Sequence, residues 1–117
     1  MTPRRGEIWI VDFSPSVGSE IRAPHPALVV SANDLNQSPW GLVIVCPITT
    51  LRKEKPFRLH IIIAPPEGGV KHRSVIRLDQ IKSVSMERFS AKWGSVAPGT
   101  MRQAEYILRR VLDLPMA

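Results

Sequence analysis

Residues 18–26 read Gly-Ser-Glu-Ile-Arg-Ala-Pro-His-Pro. They place a hydroxyl (Ser19), a carboxylate (Glu20), a guanidinium (Arg22) and an imidazole (His25) within a few positions of one another. Each type suits one part of phosphodiester cleavage. An imidazole gives or takes a proton at working pH. A guanidinium forks onto phosphate oxygens and keeps its charge. Pro24 and Pro26 restrain the backbone on either side of His25. The same residue types also furnish ordinary solvated loops, so the cluster alone does not decide. Further along, Thr49-Thr50 closes an apolar run and is followed by Leu51-Arg52-Lys53-Glu54-Lys55. Hydroxyls beside a basic loop can hydrogen-bond phosphate oxygens, although threonine also favours strands on packing grounds.

The remaining candidates are weaker. His60 reads as a polar-face residue in mid-strand, and His72 as part of the basic loop Lys71-His72-Arg73, which could touch backbone phosphate. The three histidines and the single Cys46 show no metal-ligand spacing, so no bound metal is expected. Cys46 lies in an apolar run and reads as core. One cysteine allows no internal disulfide, and this fits a reducing, cytoplasmic setting. Trp9 reads as core. Trp40, between Pro39 and Gly41, reads as a loop anchor or, less simply, as a stacking platform for a base.

Charge adds a direction. Sixteen Lys and Arg face ten Asp and Glu, for a net charge of +6. The whole excess lies in residues 52–92, with ten basic and four acidic residues. Such a field attracts polyanions. It makes Arg52, Lys53, Lys55, Arg73 and Arg77, with the neighbouring Gln80, the candidate contacts to a polyanion.

These residues need a scaffold. With 117 residues, of which 44% are hydrophobic and 22% charged, the chain suits one globular domain, taken as 1–117. No window approaches a membrane span, and the start lacks the apolar stretch of a signal peptide. Strands are expected at 7–13, 26–31, 42–48, 57–63, 74–78, 81–84 and 93–96, from alternation and β-branched content. The long loop between the first two strands runs from Ser14 to His25. From Met101 the apolar residues fall at helical spacing. Pro98 suits a first turn, Thr100-x-x-Gln103 reads as a capping box, and Pro115 as the stop. Many short strands with one closing helix predict a mainly β fold: a small, strongly bent, partly open barrel.

The ordered motifs resemble the MazF/PemK (Kid) family of toxin endoribonucleases. The likeness is carried by Arg5-Gly6-Glu7-Ile8-Trp9, by Val11-Asp12-Phe13-Ser14-Pro15, and by Gly18-Ser19-Glu20 followed by Pro26-Ala27-Leu28-Val29-Val30-Ser31. It continues through Cys46-Pro47-Ile48-Thr49-Thr50, Pro56-Phe57, Ser74-Val75, Asp79 to Val84, and Gly94 to Pro98 with the final helix. The resemblance implies an SH3-like or CcdB-like barrel, a homodimer, and a MazE-like antitoxin partner. It also implies metal-free, cofactor-free cutting of single-stranded RNA at short motifs. The RNA's own 2′-hydroxyl attacks, leaving a cyclic phosphate and a 5′-hydroxyl.

In that family an arginine precedes the Pro-Ala-Leu-Val strand, and a threonine ends the Pro-x-Thr strand. Thr49 matches the threonine, but the arginine position is His25. Three readings stay open. His25 transfers the proton while Arg22 supplies fixed charge; or Arg22 replaces the arginine outright; or activity is impaired. In the first, His25 or Glu20 takes the 2′-hydroxyl proton, Arg22 stabilises the phosphorane, and Thr49 and Ser19 hold its free oxygens. A gyrase poison like the CcdB toxins, or an RNA-binding module without catalysis, are the competing functions on the same fold.

Overall fold

The computed structural model describes residues 2–15, 17–21, 23–52 and 57–116. Seven strands form one antiparallel sheet: β1 Glu7–Asp12, β2 Pro24–Val29, β3 Leu42–Thr50, β4 His60–Ile63, β5 Ser74–Arg77, β6 Lys82–Ser85 and β7 Phe89–Ser95. Their order is β4-β5-β3-β2-β1-β7, with β6 also paired to β3. Helix α1 spans Asn33–Asn36 and helix α2 spans Pro98–Val111. The sheet bends without closing. β1 carries two register shifts against β7, after Ile8 and after Ile10, and such bulges sharpen twist.

The central strands are buried on both faces, which is why they read as nearly continuous apolar runs. Ile8, Leu28, Cys46 and Ile48 face one core, completed by Ile76, Leu78 and the α2 residues Ala104 and Ile107. Trp9, Val11, Ala27, Val29, Val43 and Val45 face a second core, flanked by Ile21, Met86 and Phe89. The period of two along each strand makes the division.

Several boundaries differ from the sequence expectation. β2 begins at Pro24, so His25 belongs to a strand rather than to the preceding loop, and it pairs with Val11 of β1. Pro26 lies just outside the stretch of β2 that pairs with β3, where β2 has a free edge and proline is accommodated. Residues 57–59 form a turn closed by His60 N–H donating to Phe57 O at 2.9 Å, so β4 starts three residues late. β7 starts earlier than expected, at Phe89. The short α1 was not anticipated. Trp40 is 78% exposed and anchors nothing.

Helix α2 has Pro in its first turn as expected, but its N-cap is Ala97, with no side-chain cap of its own. The cap is supplied from afar. Glu67 Oε2 accepts from Ala97 N–H at 3.0 Å and from the Thr100 hydroxyl at 2.5 Å. Thr100 is therefore inside the helix, and the capping box does not form. The helix ends at Val111, before Pro115, and Asp113 takes a left-handed conformation at φ 54°.

Glu67 opens a tight 3-10 turn, Glu67–Gly69, that packs against β7. A Cβ on Gly69, whose φ is 78°, would sit 2.4 Å from the Trp93 carbonyl oxygen. Gly69→Ala therefore combines backbone strain with a clash against main chain and should cost roughly 2–4 kcal/mol. Gly41 has φ 67° but open space around it, so Gly41→Ala should cost only about 1–2 kcal/mol. Equal losses for the two variants in urea denaturation would sink this account.

Glu7 is 8% exposed and ties the first strand down. Its carboxylate takes the Lys92 ammonium at 2.8 Å, the Trp9 indole N–H at 3.0 Å and the Arg4 N–H at 2.8 Å. Burial pushes its pKa up, but these donors outweigh burial and hold it below the usual carboxylate value. A lowered folded pKa gives stability that is present above the unfolded value and lost as pH falls through the folded one. Glu7→Gln should thus lower the urea midpoint near neutral pH, and the deficit should shrink below about pH 4. A deficit of the same size in acid and at neutrality would contradict this.

Candidate active site

The register of the central strands brings two of the candidate residues together. β2 and β3 pair Ala27 with Pro47, Leu28 with Cys46 and Val29 with Val45. That pairing ends at Ala27 and Pro47, and two residues beyond it lie His25 on β2 and Thr49 on β3. Both line one cleft of about 450 Å³, with Thr50, Arg52, Lys71, His72 and Trp93 also on its walls. His25 is half-buried, and its Nδ1 lies 3.4 Å from the Ala23 carbonyl oxygen. Ala23 itself is held at φ 64°, a region costly for alanine, just before the strand. Lys71 Nζ sits 5.2 Å from the centre of the Trp93 ring, a cation–π contact at the cleft wall.

Ser19 and Glu20 line a different cleft, of about 500 Å³, with Phe13, Ile21, Pro47, Arg77, Asp79, Gln80 and Lys82. The neighbours Pro47 and Ile48 of β3 line one cleft each. Glu20 is occupied within its own loop. Its Oε1 accepts from Val17 N–H at 2.7 Å, and its Oε2 lies 3.9 Å from Lys82 Nζ. The Gln80 side-chain oxygen accepts from Ile21 N–H at 3.1 Å and fastens this loop to the turn after β5.

The candidates thus divide. His25, Thr49 and Arg52 share the first cleft. Ser19, Glu20, Arg77 and Gln80 share the second. Arg73 is exposed, and its carbonyl accepts from Leu51 N–H at 2.8 Å. Arg22, Lys53 and Lys55 lie outside the described residues. Sequence reasoning missed Trp93 as a cleft residue, because alternation in a strand says which face is apolar but not which neighbour covers it. It also missed Asp79 and Lys82. His60, read as a polar-face residue, lies 2.9 Å from Asp79 and 3.0 Å from Arg77. Among the described residues no three His, Cys, Asp or Glu side chains cluster closely enough to hold a metal ion.

Comparison with known proteins places this geometry in a family. Residues 4–112 match the PemK-like, MazF-like toxins of type II toxin-antitoxin systems, and the chain belongs to that family. It is 33% identical to the endoribonuclease MazF9 of Mycobacterium tuberculosis, over 95% of this chain and 97% of the relative. It is 34% identical to the endoribonuclease toxin MazF of Escherichia coli K12, over 82% of this chain and 81% of the relative. Its fold matches a crystal structure of MazF from Deinococcus radiodurans with a TM-score of 0.84 at 22% identity, covering 97% of this chain and 99% of that one. It also matches a mycobacterial endoribonuclease solved in complex with its cognate antitoxin, with a TM-score of 0.79 at 23% identity and 98% and 99% coverage. At these identities the structural likenesses establish the fold: a bent, open, mainly β barrel with a C-terminal helix.

Cys46 precedes the cleft-lining residues of β3 and is fully buried. Burial, and then the charge of Asp79, push its thiol up to about 12. The thiol should therefore resist a disulfide reagent at mildly alkaline pH in the folded protein and react on addition of denaturant. Rapid reaction without denaturant would show that β3 is open to solvent.

Proposed function

We propose that this chain is a sequence-specific, metal-independent endoribonuclease toxin that cuts single-stranded RNA, messenger RNA included, in the cytoplasm. The observation that carries the proposal is the single cleft that His25, Thr49 and Arg52 line together. The curated relatives named as endoribonucleases support the activity. The relatives solved with a cognate antitoxin and as a MazE-MazF complex support neutralisation by a MazE-like partner, and the proposal takes the toxin itself as a homodimer.

In this reading the RNA supplies the nucleophile. A 2′-hydroxyl loses its proton and attacks the adjacent phosphorus, the bond from phosphorus to the 5′-oxygen breaks, and the departing oxygen takes up a proton. The products are a 2′,3′-cyclic phosphate and a 5′-hydroxyl, with no net loss or gain of protons. His25 moves a proton in this exchange. Thr49 donates a hydrogen bond to a non-bridging oxygen. Arg52 supplies the fixed positive charge from within the described cleft, and Arg22 is the second guanidinium available near His25 in sequence. Lys71 and the exposed Arg73 extend the positive wall along which the backbone lies. Lys53 and Lys55 would add to it. Ser19, Glu20, Arg77 and Gln80 meet the same strand beyond the cut, in the second cleft.

The test is cleavage of a long single-stranded RNA in excess EDTA, with the 5′ ends mapped. Discrete cuts are expected. Intact RNA together with gyrase inhibition would instead support a poison. His25→Ala should lower the rate by roughly 10²–10⁴-fold. His25→Arg should recover part of the rate. Arg52→Ala and Arg22→Ala should also lower the rate, and the larger loss identifies the cation at the phosphorane. A His25→Ala protein that cuts at the wild-type rate would overturn the role given to His25.

A further inference from the structure

The second cleft contains a network that the cutting chemistry does not use. His60 pairs with Arg77 across β4 and β5, and its side chain is only 12% exposed. The ring is fixed edge-on to Phe57, with centroids 5.6 Å apart at 68°. Its Nε2 lies 2.9 Å from Asp79 Oδ1 and 3.0 Å from Arg77 Nε, while Arg77 Nε and Asp79 Oδ1 are 3.6 Å apart. One ring nitrogen therefore meets a cation and an anion together. It accepts from Arg77 when it carries no hydrogen and donates to Asp79 when it does.

The consequence lies in what is left over. Arg77 is held at Nε, and its two terminal nitrogens make no hydrogen bond among the described residues. Asp79 is held at Oδ1, and its second oxygen is likewise unused among them. Gln80 accepts through its oxygen, which leaves its amide hydrogens for a ligand. All three residues line the cleft, against the apolar side chains of Phe13, Ile21 and Pro47.

We propose that this cleft takes one unpaired RNA base by its hydrogen-bonding edge, and that His60 is the positioning residue that anchors the Arg77–Asp79 ion pair, through one member or the other, ready to read it. The inference rests on the nuclease reading given above. An unpaired base is a flat apolar body with donors and acceptors along its rim, and single-stranded RNA is read on such edges. The cleft offers donors from Arg77 and Gln80, an acceptor from Asp79, and apolar walls. A phosphate would meet the Asp79 carboxylate and be repelled by it, so this cleft is suited to a base rather than to the backbone. His60 lies behind the cleft wall and acts through its two neighbours.

The experiment cleaves a random-sequence single-stranded RNA pool with wild type, His60→Leu and His60→Gln, and sequences the new 5′ ends. Wild type should favour one base at a fixed distance from the cut. His60→Leu can hold neither partner and should weaken that preference by roughly tenfold, about the worth of one good base-edge contact. His60→Gln has an oxygen that accepts from Arg77 and an amide that donates to Asp79, so it should keep most of the preference. Identical cut spectra for wild type and His60→Leu would overturn the proposal, as would a loss in His60→Gln equal to that in His60→Leu. Should His60→Leu fail to fold, Asp79→Asn carries the test, since it exchanges an acceptor for a donor and should change the favoured base; an unchanged spectrum overturns the proposal. If wild type cuts no RNA, the nuclease reading fails by itself. Sequences selected by binding from the same pool then judge His60, and identical selections by wild type and His60→Leu overturn its role.

Discussion

β3 hydrogen-bonds to β2 along one edge, and to β6 and then β5 along the other, while its two faces pack into separate cores. That double burial fixes its register. A slip of one residue would send Val43 and Val45 into the helix-facing core and Cys46 and Ile48 into the opposite one, exchanging side chains of different size everywhere at once. Everything at the candidate site depends on this constraint. The position of Thr49 relative to His25 follows from the pairing of Ala27 with Pro47, and the pairing follows from the two cores.

The clefts sit where that packing runs out. Beyond Ala27 on β2 and Pro47 on β3, the two strands lead on to His25 and Thr49, which are only partly buried. The strand ladder holds their backbones rigidly while their side chains keep access to a ligand. The surrounding supports are local and polar. Glu67 caps α2 across the chain and begins the glycine turn that seats Trp93, and Trp93 in turn carries Lys71 on its ring at the cleft wall. Glycine is needed at position 69 because no side chain fits between this turn and β7.

Charge in this protein is arranged rather than merely accumulated. Four basic residues of the 52–92 segment line two clefts of different character. The first collects Arg52, Lys71 and a pair of histidines, with no carboxylate among the described residues on its walls. The second mixes Arg77 and Lys82 with Asp79 and Glu20. A uniformly positive wall attracts a polyanion, whereas alternating signs discriminate among ligands by the pattern of their donors and acceptors.

The sequence alone determined the strand-rich class, the closing helix, the family, and the candidates His25, Thr49 and Arg52, because alternation, helical spacing and ordered motifs are written in neighbouring residues. Boundaries set by distant partners were not legible. His25 entered β2 because Val11 pairs with it, and the cap of α2 came from Glu67, about thirty residues away, in place of the local Thr100 and Gln103. Phe57 to Leu59 has the alternation of a strand yet folds as a turn. Tertiary structure likewise decided that Ser19 and Glu20 separate from His25, although all three sit in one short loop motif. The loop ends where β2 begins: Ser19 and Glu20 stay with the loop at one cleft, and His25, in the strand, lines the other. It also decided that His60, unremarkable in mid-strand, meets both Arg77 and Asp79. Pairing between strands brings together residues far apart in the chain, and no local pattern encodes which ones.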